Sequence, residues 1–343
     1  MSMKARRGDE RSGKSLDVWF GVVVGVALVT RLIGLDHAPH FDEFYHLLAA
    51  NSLLEDGDLC IAGCIAPYDR GAPFTYMVAG AVGALGSSVA VARLVSVLAG
   101  VLLVGGVYWW TRRVAGRIAA VAAALLLALS PQAIEFSQFV RFYAWQALLI
   151  WAGGVALFCA VHPARGGRPD TVGSGSPPVS PRRRVVVAAL GVASFLLALS
   201  LQIATLIAAA GIVLWLLVDP ILTRARREMR GRPGRLLIAG GLAIVLLAAG
   251  LATMSATGLL AELWAKYRST NMFTLRHVND IRYYHRLMLE TYPTLYSLWP
   301  IAFVFVLWKR PAAALFTGSV FALSLVCLLY TSDAADEEDS VDL

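Results

Sequence analysis

Adjacent carboxylates at Asp42 and Glu43, in the segment FDEFYH at residues 41–46, stand just beyond the first apolar run of the chain. A carboxylate so placed can take the proton of a hydroxyl as that hydroxyl attacks an electrophile. Asp42 and Glu43 together are therefore the candidate acid pair for taking that proton. Two further polar segments complete the set. SPQAIEFSQFVRFY, residues 130–143, carries Glu135, Arg141 and Tyr143 between two apolar runs. Residues 255–295 interleave Lys266, Arg268, Arg276, His277, Arg282, His285 and Arg286 with Trp264, Tyr267, Tyr283 and Tyr284. Carboxylates on one segment and cations on the others suit a sugar carried on a lipid phosphate. Cations neutralise the charge that grows on the departing phosphate, while the acid pair receives the acceptor's proton. The candidate substrate-binding residues are Arg141, Glu135, His46, Tyr143, Lys266, Arg268, Arg276, Arg282 and His285.

The elements that position these residues are membrane helices. Of the 343 residues 58% are hydrophobic and 15% charged, and the apolar residues come in long uninterrupted runs, which excludes an ordinary soluble domain. The expected class is an all-α polytopic membrane protein. Apolar runs lie at 17–35, 90–110, 117–131, 143–161, 185–219, 236–254, 296–308 and 312–330. Residues 185–218 lack any charge and are too long for one span, so two helices joined near Gln202 are expected, giving nine spans. The first run has no small-residue cleavage pattern after it and stays in the membrane.

Charge sets the expected orientation. With 72–86 only dipping into the interface, the tail 1–16 and the segments 112–117, 162–184, 224–235 and 309–310 share one side. They carry 5, 3, 5, 6 and 2 Lys or Arg, 21 of the chain's 30. The positive-inside rule puts them in the cytoplasm. The outer loops are then 36–89, 132–142 and 255–295, outside the cell membrane, and the net charge of +7 reflects topology rather than nucleic-acid binding. Within the first of them, Phe44, Leu47, Leu48 and Leu54 suit a helix lying along the interface. Residues 162–184 read as a flexible connector rich in Gly, Ser, Pro and Arg. Cys60 and Cys64 share the first outer loop as either a disulfide or two free thiols, while Cys159 and Cys327 are apolar fillers.

FDEFYH resembles the Asp-Glu signature in the first outer loop of the GT-C membrane glycosyltransferases, which include protein mannosyltransferases and oligosaccharyltransferase catalytic subunits. Residues 92–146 are similar to the second and third spans of that group, ending in the Ser-Pro turn. The resemblance covers roughly residues 17–220 and is nearest the bacterial glycosyltransferase 39 or PMT-like members. It implies a GT-C bundle and an inverting transfer of a sugar from a polyprenyl phosphate to an acceptor hydroxyl. It also implies Asp42 as base, Glu43 as its assistant and Arg141 on the donor phosphate. Many oligosaccharyltransferase relatives place an Asp-containing metal motif where this chain has Glu135. The chain has no Asp there, which leaves a divalent Mg or Mn ion an open question, since Asp42, Glu43 and Glu135 are few ligands for one.

Duller readings stand beside these. An acidic pair can mark a helix start, His46 can be a packing partner, and the aromatic residues of 255–295 can form an interfacial belt. Arg31 and Arg93, near the ends of their spans, can snorkel toward the headgroups or contact phosphate. A flippase that grips polyprenyl phosphate without transferring its sugar is the rival function, and it has no need of Asp42. The last residues, 331–343, put six Asp or Glu in the final eleven positions. They read either as an acidic disordered tail or as translated adapter text, and the second implies a natural chain that continues past residue 330.

Overall fold

The structure, a computed structural model, describes residues 18–61, 64–162, 180–229, 289–309 and 313–318. It divides into two compact units, Met1–Thr205 and Leu206–Leu343. The first unit holds α1 (Val18–Leu32), α2 (Phe41–Glu55), the short antiparallel strands β1 (Cys60–Ile61) and β2 (Ala66–Pro67), and α3 (Ala72–Leu85). It continues with α4 (Val89–Ala115), α5 (Arg117–Ala128), α6 (Pro131–Gln138), α7 (Tyr143–Val161) and α8 (Pro181–Leu201). From Thr205 the chain enters α9 (Thr205–Met229), which contains Pro220. In the second unit the described residues also form the helix Pro293–Lys309 and a helical segment at 313–318. There the indole of Trp215 meets Phe316 edge-on, ring centroids 5.1 Å apart.

Among the described residues α4, α7 and α8 are each long and apolar enough to cross a bilayer, and α5 with α6, bent by 57°, pass the same test as a pair. The predicted break inside 185–218 is present: α8 ends at Leu201, Gln202 turns extended, and α9 starts at Thr205. The outward residues Val185, Leu190, Leu196 and Leu197 of α8 are exposed, as a helix facing lipid requires. The expected span 236–254, residues 255–288 of the third outer loop and most of 312–330 lie outside the described residues. Two expected loops differ. Residues 112–117 are no loop, because α4 runs through Arg112 and Arg113 to Ala115 and only Gly116, at φ 89°, separates it from α5. The connector 162–184 ends early: Ser180 caps α8 through the Arg183 N–H and Pro181 takes its first position, so Arg182, Arg183 and Arg184 are helical.

Packing explains how these helices approach. Ala120, Ala124 and Ala128, one turn apart on α5, close with Val23 and Ala27 of α1 and Val104 and Tyr108 of α4 into one core. A second core joins Phe74, Val78 and Val82 of α3 to Ala92 and Val95 of α4, with Val140 and Phe142. Helices α7 and α8 meet at Gly153 and Gly191, where a Cβ on Gly191 would stand 2.9 Å from the Leu157 Cγ and 3.1 Å from the Gly153 carbonyl oxygen. Small residues at such a crossing let the backbones touch. Gly191→Leu is accordingly expected to force the pair apart at about 1–3 kcal/mol, read as a lowered melting temperature in detergent by size-exclusion thermostability.

Candidate functional site

Helix α2 presents the acid pair. His40 caps it reciprocally: its Nδ1 accepts the Asp42 N–H at 3.3 Å while Glu43 Oε2 accepts the His40 N–H at 2.8 Å. Successive helical residues point about 100° apart, so the two acids face different surroundings. Glu43 turns inward and is fully buried. Its Oε1 accepts from Arg93 Nε at 2.9 Å and from the Val140 N–H at 2.7 Å, and its Oε2 accepts from Arg93 Nη2 at 2.6 Å as well as from His40. Burial alone would raise its pKa, but the bonds from Arg93, Val140 and His40 hold it below the ordinary glutamate value of 4.5. Asp42 turns outward, and its side chain is 45% exposed with Oδ2 2.9 Å from Arg141 Nη2.

Glu43 thereby fixes both members of the outer pair. It belongs to the same helical turn as Asp42, and it holds the peptide just before Arg141. Ser96 of α4 adds a bond to the Arg141 carbonyl oxygen at 3.1 Å, and Trp145 Nε1 donates to the Val95 carbonyl at 2.9 Å. Arg93 reaches the rest of the turn between α1 and α2, donating Nη1 to the Leu35 and His37 carbonyls at 2.8 Å each. The expectation that Arg93 snorkels or meets phosphate is therefore corrected: it is fully buried and its fork is filled by Glu43 and backbone oxygens. Arg31 is corrected in the same way. Buried at 1% exposure, it donates to Ser137 Oγ at 3.1 Å and to the Ala27 and Ala128 carbonyls at 3.2 Å each. The last carbonyls of α5 carry the negative end of the helix dipole, which stabilises the cation without a carboxylate.

His46, one turn along α2, is buried. Its Nδ1 lies 2.9 Å from Thr75 Oγ1 of α3, its Nε2 3.4 Å from the Tyr68 hydroxyl, and its ring meets the rings of Tyr68, Phe74 and Phe142 edge-on. Burial, then the positive charges of Arg141 and Arg70, lower its pKa to about 3, so the imidazole is neutral at physiological pH. Because the unfolded histidine binds a proton near pH 6.5 and the folded one does not until about pH 3, acidification through this window favours the unfolded chain. The melting temperature is expected to fall between pH 7 and pH 5, and His46→Phe is expected to flatten that dependence, checked by thermal unfolding across buffers.

Two residues of this site went unnoticed in the sequence. Tyr68 stacks on Tyr45 at 5.8 Å, and burial raises its pKa against the opposing charges of Arg141 and Arg70. Arg70, exposed two residues on, is a second cation whose charge reaches His46 and Tyr68. Gly71 at φ 63° follows, in a backbone region that favours glycine, and a Cβ there would run into Phe142. Of the expected binding residues, Arg141 lies 5.9 Å from the Tyr143 ring centroid, and Tyr143 is half-buried against Phe136. Glu135 is exposed on α6, one residue before Phe136. Lys266, Arg268, Arg276, Arg282 and His285 lie outside the described residues. Among the described residues no three His, Cys, Asp or Glu side chains gather as metal ligands. Glu43 has its oxygens filled by donors, so the acids of this site do not assemble the oxygen set a Mg or Mn ion needs. Cys60 and Cys64, left open by the sequence, are joined in a disulfide.

The sequence matches no family model, and no curated protein matches it. Among solved structures the chain is similar to ArnT from Cupriavidus metallidurans bound to undecaprenyl phosphate, at 17% identity and a TM-score of 0.59, over 94% of this chain and 61% of that one. It spans less than two thirds of that protein's length. The likeness shows the fold: an all-α, polytopic membrane bundle of the GT-C type.

Proposed function

We propose that the chain carries the Asp42 half of a glycosyltransferase site, which moves a sugar from a polyprenyl phosphate to an acceptor hydroxyl at the outer face of the cell membrane. The observation that carries this reading is the split of the acid pair. Glu43 is consumed in positioning, which leaves Asp42 open to substrate and held 2.9 Å from Arg141. A donor phosphate arriving at Arg141 and Arg70 competes with the Asp42 carboxylate for the same guanidinium and releases it toward the acceptor. The acceptor oxygen then attacks the sugar's anomeric carbon, the bond from that carbon to the phosphate oxygen breaks, and the acceptor proton passes to Asp42. The negative charge left on the polyprenyl phosphate meets the two arginines. A single displacement of this kind inverts the anomeric carbon. The glycosyltransferase 39 resemblance of FDEFYH and the undecaprenyl phosphate on ArnT support a lipid-phosphate donor.

Glu43 and Arg93 position the pair in this scheme, and His46 packs behind it. The cations of 255–295 are proposed to contribute further phosphate contacts. Binding of undecaprenyl phosphate to purified protein in nanodiscs tests the donor side. Arg141→Ala is expected to weaken it by about tenfold or more, as loss of a charge-assisted contact implies. Unchanged affinity in both Arg141→Ala and Arg70→Ala would remove the lipid phosphate from this site.

A further inference from the structure

The hairpin between α2 and α3 carries chemistry that the proposed transfer leaves unused. Cys60 is 4% exposed, whereas its disulfide partner Cys64 lies on the surface. Cys64 sits at φ 62°, the one non-glycine residue at positive φ among the described residues, a left-handed conformation that an L-residue adopts under strain. The Ser52 hydroxyl of α2 stands 2.8 Å from the Cys60 sulfur and 3.5 Å from that of Cys64. The bond closes a hairpin in which Cys60 pairs with Pro67, and the next residue, Tyr68, donates its N–H to the Leu59 carbonyl at 3.0 Å. One end of this short strap is therefore the disulfide, and the other carries Tyr68, stacked on Tyr45 and 3.4 Å from His46 beside the charges of Arg141 and Asp42, with Arg70 two residues on.

We propose that Cys60–Cys64 is a thiol–disulfide exchange site for a dithiol reductant of the outer face, and that its oxidised form holds Tyr68 and Arg70 at the Asp42 site. The proposal rests on the reading that this face lies outside the cytoplasm and that the Asp42 site takes a polyprenyl phosphate. A thiolate of the dithiol attacks the exposed Cys64 sulfur, the S–S bond breaks, and the electron pair leaves on the Cys60 sulfur. The Ser52 O–H hydrogen bond stabilises that thiolate until it takes a proton. The second thiolate of the dithiol then attacks the dithiol's own sulfur in the mixed disulfide and releases Cys64. Two electrons and two protons have passed to the cysteine pair, and the dithiol leaves as a disulfide. Reduction frees Cys64 from its left-handed backbone and removes the constraint on the strap.

The test uses the full chain in nanodiscs with dithiothreitol as the dithiol, and reads alkylation of the Cys60 and Cys64 peptides by mass spectrometry. Hydrogen exchange over 56–72 and undecaprenyl phosphate binding are measured on the same samples. Reduction is expected to raise exchange at Tyr68 and the residues after it and to weaken binding by about threefold. Cys60→Ser/Cys64→Ser is expected to be loose and indifferent to dithiothreitol, and Ser52→Ala to slow reduction about tenfold. A pair that resists dithiothreitol in the folded protein, or reduces while exchange over 66–72 stays unchanged, overturns the proposal. If neither redox form binds undecaprenyl phosphate yet exchange still responds, the donor reading fails and the exchange site stands.

Discussion

Asp42→Asn is expected to lower sugar transfer by about 10²–10⁴-fold while leaving donor affinity intact or improved. The range is the usual contribution of a positioned general base. The amide keeps the size and the hydrogen bond to Arg141 but cannot take the acceptor's proton. Removing the negative charge also lifts the competition for Arg141, which is why binding should not fall. Initial rates of polyprenyl phosphate release, beside binding isotherms of the same preparations, check both halves. A flippase grips phosphate without proton transfer, so an undiminished rate of lipid handling in Asp42→Asn would favour that rival. The geometry argues for the base because Asp42 alone of the acid pair reaches solvent, 45% exposed against none for Glu43.

The largest loss of stability is expected at the inner pair. Glu43→Gln leaves the Arg93 guanidinium buried without its counter-charge, and breaking such a pair from one side costs about 3–5 kcal/mol. It also weakens the bond to the Val140 N–H, so the segment carrying Arg141 loses its anchor. The expected result is a protein that loses its monodisperse form or melts far below wild type in detergent. Glu43→Gln with Arg93→Met, which removes both charges, is expected to recover part of that loss in melting temperature without restoring transfer, since the double change no longer fixes Arg141. Because the folded-state pKa of Glu43 is depressed, its contribution is complete above about pH 4.5 and is lost as the pH falls below it. A double variant that transfers sugar at the wild-type rate would contradict the positioning role.

What could be read from the sequence follows from what each signal measures. The charge-free stretch 185–218 exceeds one bilayer crossing, so the break at Gln202 was legible from length alone. Asp42 and Arg141 were legible as opposite charges on segments assigned to one face, but their direct contact at 2.9 Å was not. The division of labour between Asp42 and Glu43 was not, because adjacent acids look alike until the helix rotates one of them toward Arg93 and Val140. Arg93 itself reads in the sequence as an arginine near a span's end, and only the packing of α4 against the turn at residues 35–40 shows that it points inward. Tyr68 and Arg70 lie beyond a hairpin of two-residue strands, too short to leave a period-2 pattern. The helical residues Arg112, Arg113 and Arg182 to Arg184 gave a charge signal that marks a side of the membrane but not where a helix ends.

Turnover of radiolabelled polyprenyl-phosphate sugars by the purified wild-type protein, with acceptor hydroxyls offered and the anomeric configuration of the product determined, separates sugar transfer from lipid handling. A transferase with Asp42 as its base gives acceptor-dependent release of polyprenyl phosphate, an inverted product, and loss of both in Asp42→Asn. Movement of the intact donor across the bilayer at equal rates in wild type and Asp42→Asn, with its sugar bond unbroken, would contradict it.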